Sequence, residues 1–265
     1  MLSPDRPGFP QCVSAAAPGL GQAFVDALPS PGWMDMAHSR TLVAFFELGD
    51  WNAWLPQAGR LLDEAESGRV ARRRRSGDRD GLTLAYALHR LFLGGALGLA
   101  PADVPLGRDE RGCPRLQGLV MGTSLSHAGE YLAMAFCPQG PVGVDIEPVA
   151  RAAGMDGIAA QVCHPAESAC SAGDDARARS ERLLSLWVRK EAFLKAAGIG
   201  LEREMNTFRA PEGMELPLGG PHGGWTCLHM LDAGPDAVAA VAIPPRTKAC
   251  AAWFRPGRAR VRAKA

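Results

Sequence analysis

The clearest pattern in the chain is helical: from Leu82 to Leu99 apolar residues recur at 82, 84, 85, 88, 91, 92, 96 and 99, which is the spacing of a helix with one buried face. Gly94 and Gly95 weaken it. Within it, Leu84, Leu88, Leu91 and Phe92 are expected in the core. A second helix is predicted over Ala176 to Ala197, where Leu183, Leu184, Trp187, Phe193 and Leu194 are apolar and Gly198 stands at the C-terminal cap. Leu61 to Arg75 mixes acids and bases like an exposed helix. Short β-branched or apolar runs predict strands at Thr41 to Leu48, Tyr131 to Cys137, Val142 to Ile146, Trp225 to Met230 and Ala237 to Ile243. Pro138 to Pro141 reads as a turn joining the second and third of these. Residues 1–40, rich in Pro, Gly, Ala and Ser, read as an irregular lead-in. The order of elements gives an α+β protein of two similar lobes, 41–140 and 141–254, followed by a basic tail at 255–265.

The 265 residues, 47% hydrophobic and 22% charged, bury a sizeable core without disulfides or structural metal. A net charge of +1 argues against a dedicated nucleic-acid partner. The seven cysteines, at 12, 113, 137, 163, 170, 227 and 250, form no CxxC pair and follow no zinc spacing. They read as free thiols of a reducing, cytoplasmic setting. Residues 1–10 lack the pattern of a signal peptide, and no segment reaches the ~20 apolar residues of a membrane span. Arg72 to Arg75 reads as a solvated helix face or as part of an anion site.

The chemistry is concentrated in two places. Asp145 and Glu147 flank Ile146 at the end of a predicted strand, so both carboxylates leave one face. Glu191 and Lys195, spaced i, i+4, share a face of the second long helix. This arginine-rich chain has only four lysines, Lys190, Lys195, Lys248 and Lys264, and two of them lie in this stretch. A lysine is a compact donor suited to a single phosphate oxygen. Hard carboxylates beside an ammonium suit Mg²⁺ on a pyrophosphate, since magnesium takes few ligands from protein and the rest from phosphate and water.

The run Gly143-Val144-Asp145-Ile146-Glu147, followed about forty residues later by Trp187 to Lys195 and Gly198-Ile199-Gly200-Leu201, resembles the paired signature of the 4'-phosphopantetheinyl transferases, specifically the larger monomeric type that activates peptide and polyketide synthases. Leu106 to Leu116 (LGRDERGCPRL) resembles the family's Gly-basic-Pro segment, and Ser124 to Ala128 (SLSHA) its Asn-x-Ser-His segment. The resemblance covers roughly 69–242. It implies a fold of two pseudo-symmetric lobes, each a small antiparallel sheet packed with a long helix. It further implies Mg²⁺- or Mn²⁺-dependent transfer of the 4'-phosphopantetheine arm from coenzyme A to a serine of an apo carrier protein, with release of adenosine 3',5'-bisphosphate.

Carried onto this chain, the resemblance makes Asp145, Glu147 and Glu191 the metal carboxylates and Lys195 the contact to the phosphate under attack. Glu191 or Glu147, directly or through a water, is the base. Arg69, Arg72, Arg79, Arg115, Ser126, His127, Lys190 and Lys195 are the expected coenzyme A contacts. The chain departs from the pattern at Cys113 and Gly81, where the family carries positive charge for the coenzyme A 3'-phosphate, so substitute arginines are expected, with Arg79 nearest in sequence. A phosphatase using Asp145 as nucleophile is disfavoured by the lack of a DxDxT run. A non-catalytic coenzyme A binder is disfavoured by the intact carboxylates and Lys195.

Overall fold

The computed structural model describes residues 19–168, 175–219 and 223–257. Its helices are α1 (Leu20–Asp26), α2 (Leu55–Ala58), α3 (Glu64–Ala71), α4 (Ser76–Leu97), α5 (Ala159–Val162), α6 (Pro165–Ser168) and α7 (Ala176–Ala197). The strands are β1 (Thr41–Glu47), β2 (Leu106–Arg108), β3 (Pro114–Leu116), β4 (Gly122–Ala128), β5 (Tyr131–Cys137), β6 (Gly143–Pro148), β7 (Glu215–Pro217), β8 (Trp225–Leu231), β9 (Ala237–Ile243) and β10 (Ala249–Trp253). One four-stranded sheet runs β10-β1-β5-β4, a second runs β6-β9-β8-β7, and β2-β3 is a separate hairpin.

Strand alternation explains the layering. In β1 and β5, Leu42, Ala44, Phe46, Leu132 and Met134 face α4, where Leu84, Leu88 and Phe92 meet them. Val43, Phe45, Ala133 and Ala135 face the other way, against Val144, Ile146, Ala239 and Val241 of the second sheet. The outer face of that sheet, through Leu228, Ala240 and Ala242, packs on Val188, Ala192 and Ala196 of α7. The order is therefore helix, sheet, sheet, helix, in keeping with the expected α+β class. Both long helices end on a glycine with positive φ, 68° at Gly98 and at Gly198, a conformation that an L side chain resists.

Several expectations are corrected. Residues 20–38 are not irregular: α1 and a 3₁₀ turn at Met34–His38 bury Leu20, Phe24 and Trp33, because Leu20, Ala23 and Phe24 fall at helical spacing despite the surrounding composition. Strands β5 and β6 do not form a hairpin. The turn between them carries the chain from one sheet to the other, and β6 pairs with β9. The segment 141–254 is not one lobe, since β10 crosses back to run parallel to β1. Arg72 to Arg75 is not a helix face but the break between α3 and α4, with Arg72 at a C-cap and Arg75 at an N-cap. In the tail, Arg255 reaches Glu47 at 3.6 Å and stacks on Trp253. Residues 1–18 and 258–265, with Cys12 and Lys264, lie outside the described residues, as does Cys170.

Candidate active site

Strand β6 turns Val144 and Ile146 into the layer between the sheets, which leaves Gly143, Asp145 and Glu147 facing α7. Contact there is close enough to require glycine: a Cβ on Gly143 would stand 1.9 Å from the Ala192 carbonyl oxygen and 2.5 Å from the Ala196 nitrogen. Asp145 and Glu147 are both buried, at 4% and 7% exposure. Lys195 Nζ donates to Asp145 Oδ1 at 2.7 Å and to the Val144 carbonyl at 3.1 Å. The edge strand β4 lies beside β6, where Ser126 Oγ donates to the same Asp145 oxygen at 2.6 Å and Ser124 Oγ accepts the Val144 N–H at 3.1 Å. Polar β4 side chains thus take the place of a neighbouring strand.

Glu191 faces this group from α7. Burial pushes its pKa up to about 7, with the charges of Asp145 and Glu147 adding to the effect and Lys195 opposing it. Glu147 is raised for the same reasons, burial first and then Asp145, while Arg151 holds it by an ion pair of 2.8 Å. The Arg151 guanidinium also stacks over Trp187, 4.6 Å from the ring centre.

The donors are all carboxylate oxygens, the chemistry of magnesium, and Asp145 Oδ2 is buried without a hydrogen-bond partner. Among the described residues no group of three or more His, Cys, Asp or Glu side chains is arranged to hold a metal ion. A cation held here would have to draw most of its ligands from a phosphate substrate and water. Lys195 and Arg151 hold the first and second carboxylates meanwhile.

Beside Lys195 opens a cavity of about 160 Å³ walled by the β2-β3 hairpin and β4, with Arg108, Arg115 and Ser124 among its lining. Arg108, which sequence reasoning missed, is its most distinctive group. Its guanidinium lies 4.5 Å from the Tyr86 ring centre and Nη1 donates to the Gly112 carbonyl at 2.9 Å, while Nε and Nη2 are buried without partners. Arg69 of α3 approaches the same hairpin, 3.3 Å from where a Gly112 Cβ would stand. Across the mouth, Arg111 and Glu202 form a two-pronged ion pair at 2.6 and 2.8 Å, tying the hairpin to the segment after α7.

The other expected coenzyme A contacts divide. His127 turns toward α4, with its ring 3.6 Å from where a Cβ of Gly81 would lie, and partial desolvation holds its pKa below the ordinary value. Arg79 Nη1 donates to the carbonyls of Arg73 and Arg74 at 3.2 and 3.0 Å, bracing the arginine loop. Arg115 places Nε and Nη2 on Asp109. Arg72 is exposed at the end of α3. Lys190 is a correction: it is fully buried, and Nζ donates to the carbonyls of Val162, Met205 and Phe208 and to Glu167, all within 2.7–2.8 Å. One residue from Glu191, it projects away from β6 and ties α7 to the segments around it. Arg151 gave no periodic signal, standing in the 3₁₀ segment Val149–Ile158 after β6. Arg108 stood within the LGRDERGCPRL run, but only packing on Tyr86 distinguishes it from the arginines around it.

Residues 141–229 match the family model described as the 4'-phosphopantetheinyl transferase superfamily, and this segment contains β6, α7 and the carboxylates. Over that segment the chain is similar to the superfamily. It is 32% identical over 114 residues to a 4'-phosphopantetheinyl transferase of Bacillus subtilis, an alignment covering 43% of this chain and 50% of that protein. It is 27% identical over 156 residues to a putative 4'-phosphopantetheinyl transferase of Synechocystis, covering 57% and 63%. The chain thus spans between half and under two thirds of the length of these curated relatives. No helix among the described residues is long and apolar enough to cross a membrane.

Proposed function

We propose that this protein transfers the 4'-phosphopantetheine arm of coenzyme A to a serine of an apo carrier protein, forming the holo carrier and releasing adenosine 3',5'-bisphosphate. The observation that carries the reading is the ion pair of Lys195 with Asp145, in a site shared with Glu147 and Glu191, where Lys195 also lines the cavity that holds Arg108 and Arg115.

In the reaction the serine oxygen bonds to the phosphorus that bears pantetheine, and the bond from that phosphorus to the bridging oxygen breaks. Asp145, Glu147 and Glu191 are the residues to hold Mg²⁺, or Mn²⁺ in its place. When bound, the ion supplies charge neutralisation at the diphosphate. Glu191, with a pKa raised to about 7, is suited to take the serine proton near neutral pH, and Glu147 is the alternative. Lys195 stabilises charge on the transferred phosphate and the departing bisphosphate. Ser126 positions the Asp145 carboxylate. Arg108 and Arg69, with His127, are the groups placed to receive the coenzyme A phosphates, and Arg108 replaces Arg79 as the substitute for the charge missing at Cys113 and Gly81.

One chain supplies both sheets flanking the site, which supports the larger monomeric type acting on peptide or polyketide carriers. The described cysteines are all free, in keeping with a reducing, cytoplasmic setting. The test is to incubate the protein with coenzyme A, Mg²⁺ and a panel of apo carriers, following intact carrier mass and adenosine bisphosphate together. Transfer requires equal appearance of both, and none from a carrier whose acceptor serine is alanine. Absence of any mass gain across the panel contradicts the reading.

A further inference from the structure

A second cavity, of about 190 Å³, opens beside α7 between the helix and the segments 163–167 and 209–211. Arg179, Arg182 and Arg189 of α7 line it together with Arg209, and Leu186 and Cys163 form part of its wall. At about 100° per residue, positions 179, 182, 186 and 189 fall on one face of the helix, and Glu191 and Lys195 fall on another. The cavity is therefore separate from the candidate active site, and its chemistry is independent of the transferase reading.

Among the described residues, Arg189 is the lining cation with a distant counter-charge and an unpartnered buried donor. Glu167 also lines the cavity, but its Oε2 accepts from Lys190 Nζ and the His164 N–H, and its Oε1 from the Ala210 N–H, so its charge is matched to the buried lysine. Arg179 Nε meets Asp156 at 3.4 Å. Arg189 has a weaker counterpart: Nη1 comes no closer than 3.9 Å to Glu212, and Nε is buried with no hydrogen-bond partner. A guanidinium donor left unmatched in a partly enclosed site is unfavourable unless an acceptor arrives. The forked guanidinium presents paired donors to tetrahedral oxyanions, and Leu186 and Cys163 offer an apolar wall to a short organic body.

We propose that this cavity binds a small organic monophosphate, its phosphate directed at Arg189 and Arg209 and its apolar part against Leu186. The probe is phenyl phosphate, titrated calorimetrically into the full chain at constant ionic strength, with phenol as the neutral analogue. The expected result is one-to-one binding that phenol does not reproduce and that saturating coenzyme A leaves in place. Arg189→Gln and Arg209→Gln should each weaken it about tenfold or more, the effect of losing one charge-assisted contact. Arg108→Gln should leave it unchanged. Arg209 is exposed, so its variant keeps the test decisive even if Arg189→Gln fails to fold. The proposal is overturned if phenyl phosphate does not bind, if coenzyme A displaces it, or if neither arginine variant weakens it.

Discussion

Lys195 Nζ and Asp145 Oδ1 stand 2.7 Å apart, joining the long helix α7 to the strand β6 at the point where the two acidic segments meet. The same ammonium also donates to the Val144 carbonyl, so a compact donor serves two acceptors. A planar fork does not reproduce that geometry. Lys195→Arg is therefore expected to lower kcat by about tenfold or more while changing KM for coenzyme A little. Steady-state kinetics check this, and a variant that changes KM alone assigns Lys195 to ground-state binding.

Lys190 is expected to behave differently from its neighbour in sequence. Its four acceptors are buried with it, so Lys190→Met leaves Glu167 and three carbonyls without their donor. A loss of about 3–5 kcal/mol in unfolding free energy is expected, measured by urea denaturation, with coenzyme A affinity retained by the folded fraction. Unchanged stability with weakened coenzyme A binding contradicts the structural role.

His89 gives a pH dependence with a definite sign. It is buried between α4 and β4 with Nε2 2.8 Å from Thr123 Oγ1. Burial, and then Arg108 and Arg90, lowers its pKa from 6.5 to about 3. Between these values the unfolded chain binds a proton that the folded chain refuses. The contribution to stability is complete above about pH 6.5 and declines as the pH falls toward 3, by at most about 1.4 kcal/mol per pH unit. In urea unfolding at pH 7 and pH 5, wild type should lose more stability than His89→Gln. Equal losses contradict a neutral buried imidazole.

Glu191, with its pKa near 7, should release a proton when a cation joins it. Calorimetry of Mg²⁺ addition with coenzyme A present, in buffers of different ionisation enthalpy, counts that release. Near pH 6.5 wild type should release more than Glu191→Gln, and the difference should vanish by about pH 9. Identical proton counts at pH 6.5 remove Glu191 from the cation site.

Elements with strong local patterns were legible in the sequence. The run TLVAFFEL became β1, and the periodic stretch ending at Gly198 became α7 with its expected bounds. Strand β4 was not legible, because in GTSLSHA the polar side chains bond to β6 and α4 instead of facing water. Nor was β10, whose parallel pairing with β1 joins positions far apart in the chain. The spacing of the two segments pointed to Asp145, Glu147, Glu191 and Lys195 as candidates, and the contact of Lys195 with Asp145 joins those segments in the fold. Lys190 was misplaced because one step along a helix turns a side chain by about 100°, and spacing does not say which neighbours lie on either side. Arg108 and Arg151 owe their settings to Tyr86 and Trp187, contacts that exist only in the folded chain.

The most direct measurement is the initial rate of carrier modification by intact mass, with coenzyme A and Mg²⁺ saturating, for wild type and for Glu191→Gln. The amide is a poorer ligand and no base, so the variant should fold with wild-type circular dichroism and transfer the arm about a hundredfold or more slowly. Chelating the metal should silence wild type. Transfer by Glu191→Gln at the wild-type rate, or wild-type transfer undiminished by chelation, contradicts the assignment of the three carboxylates.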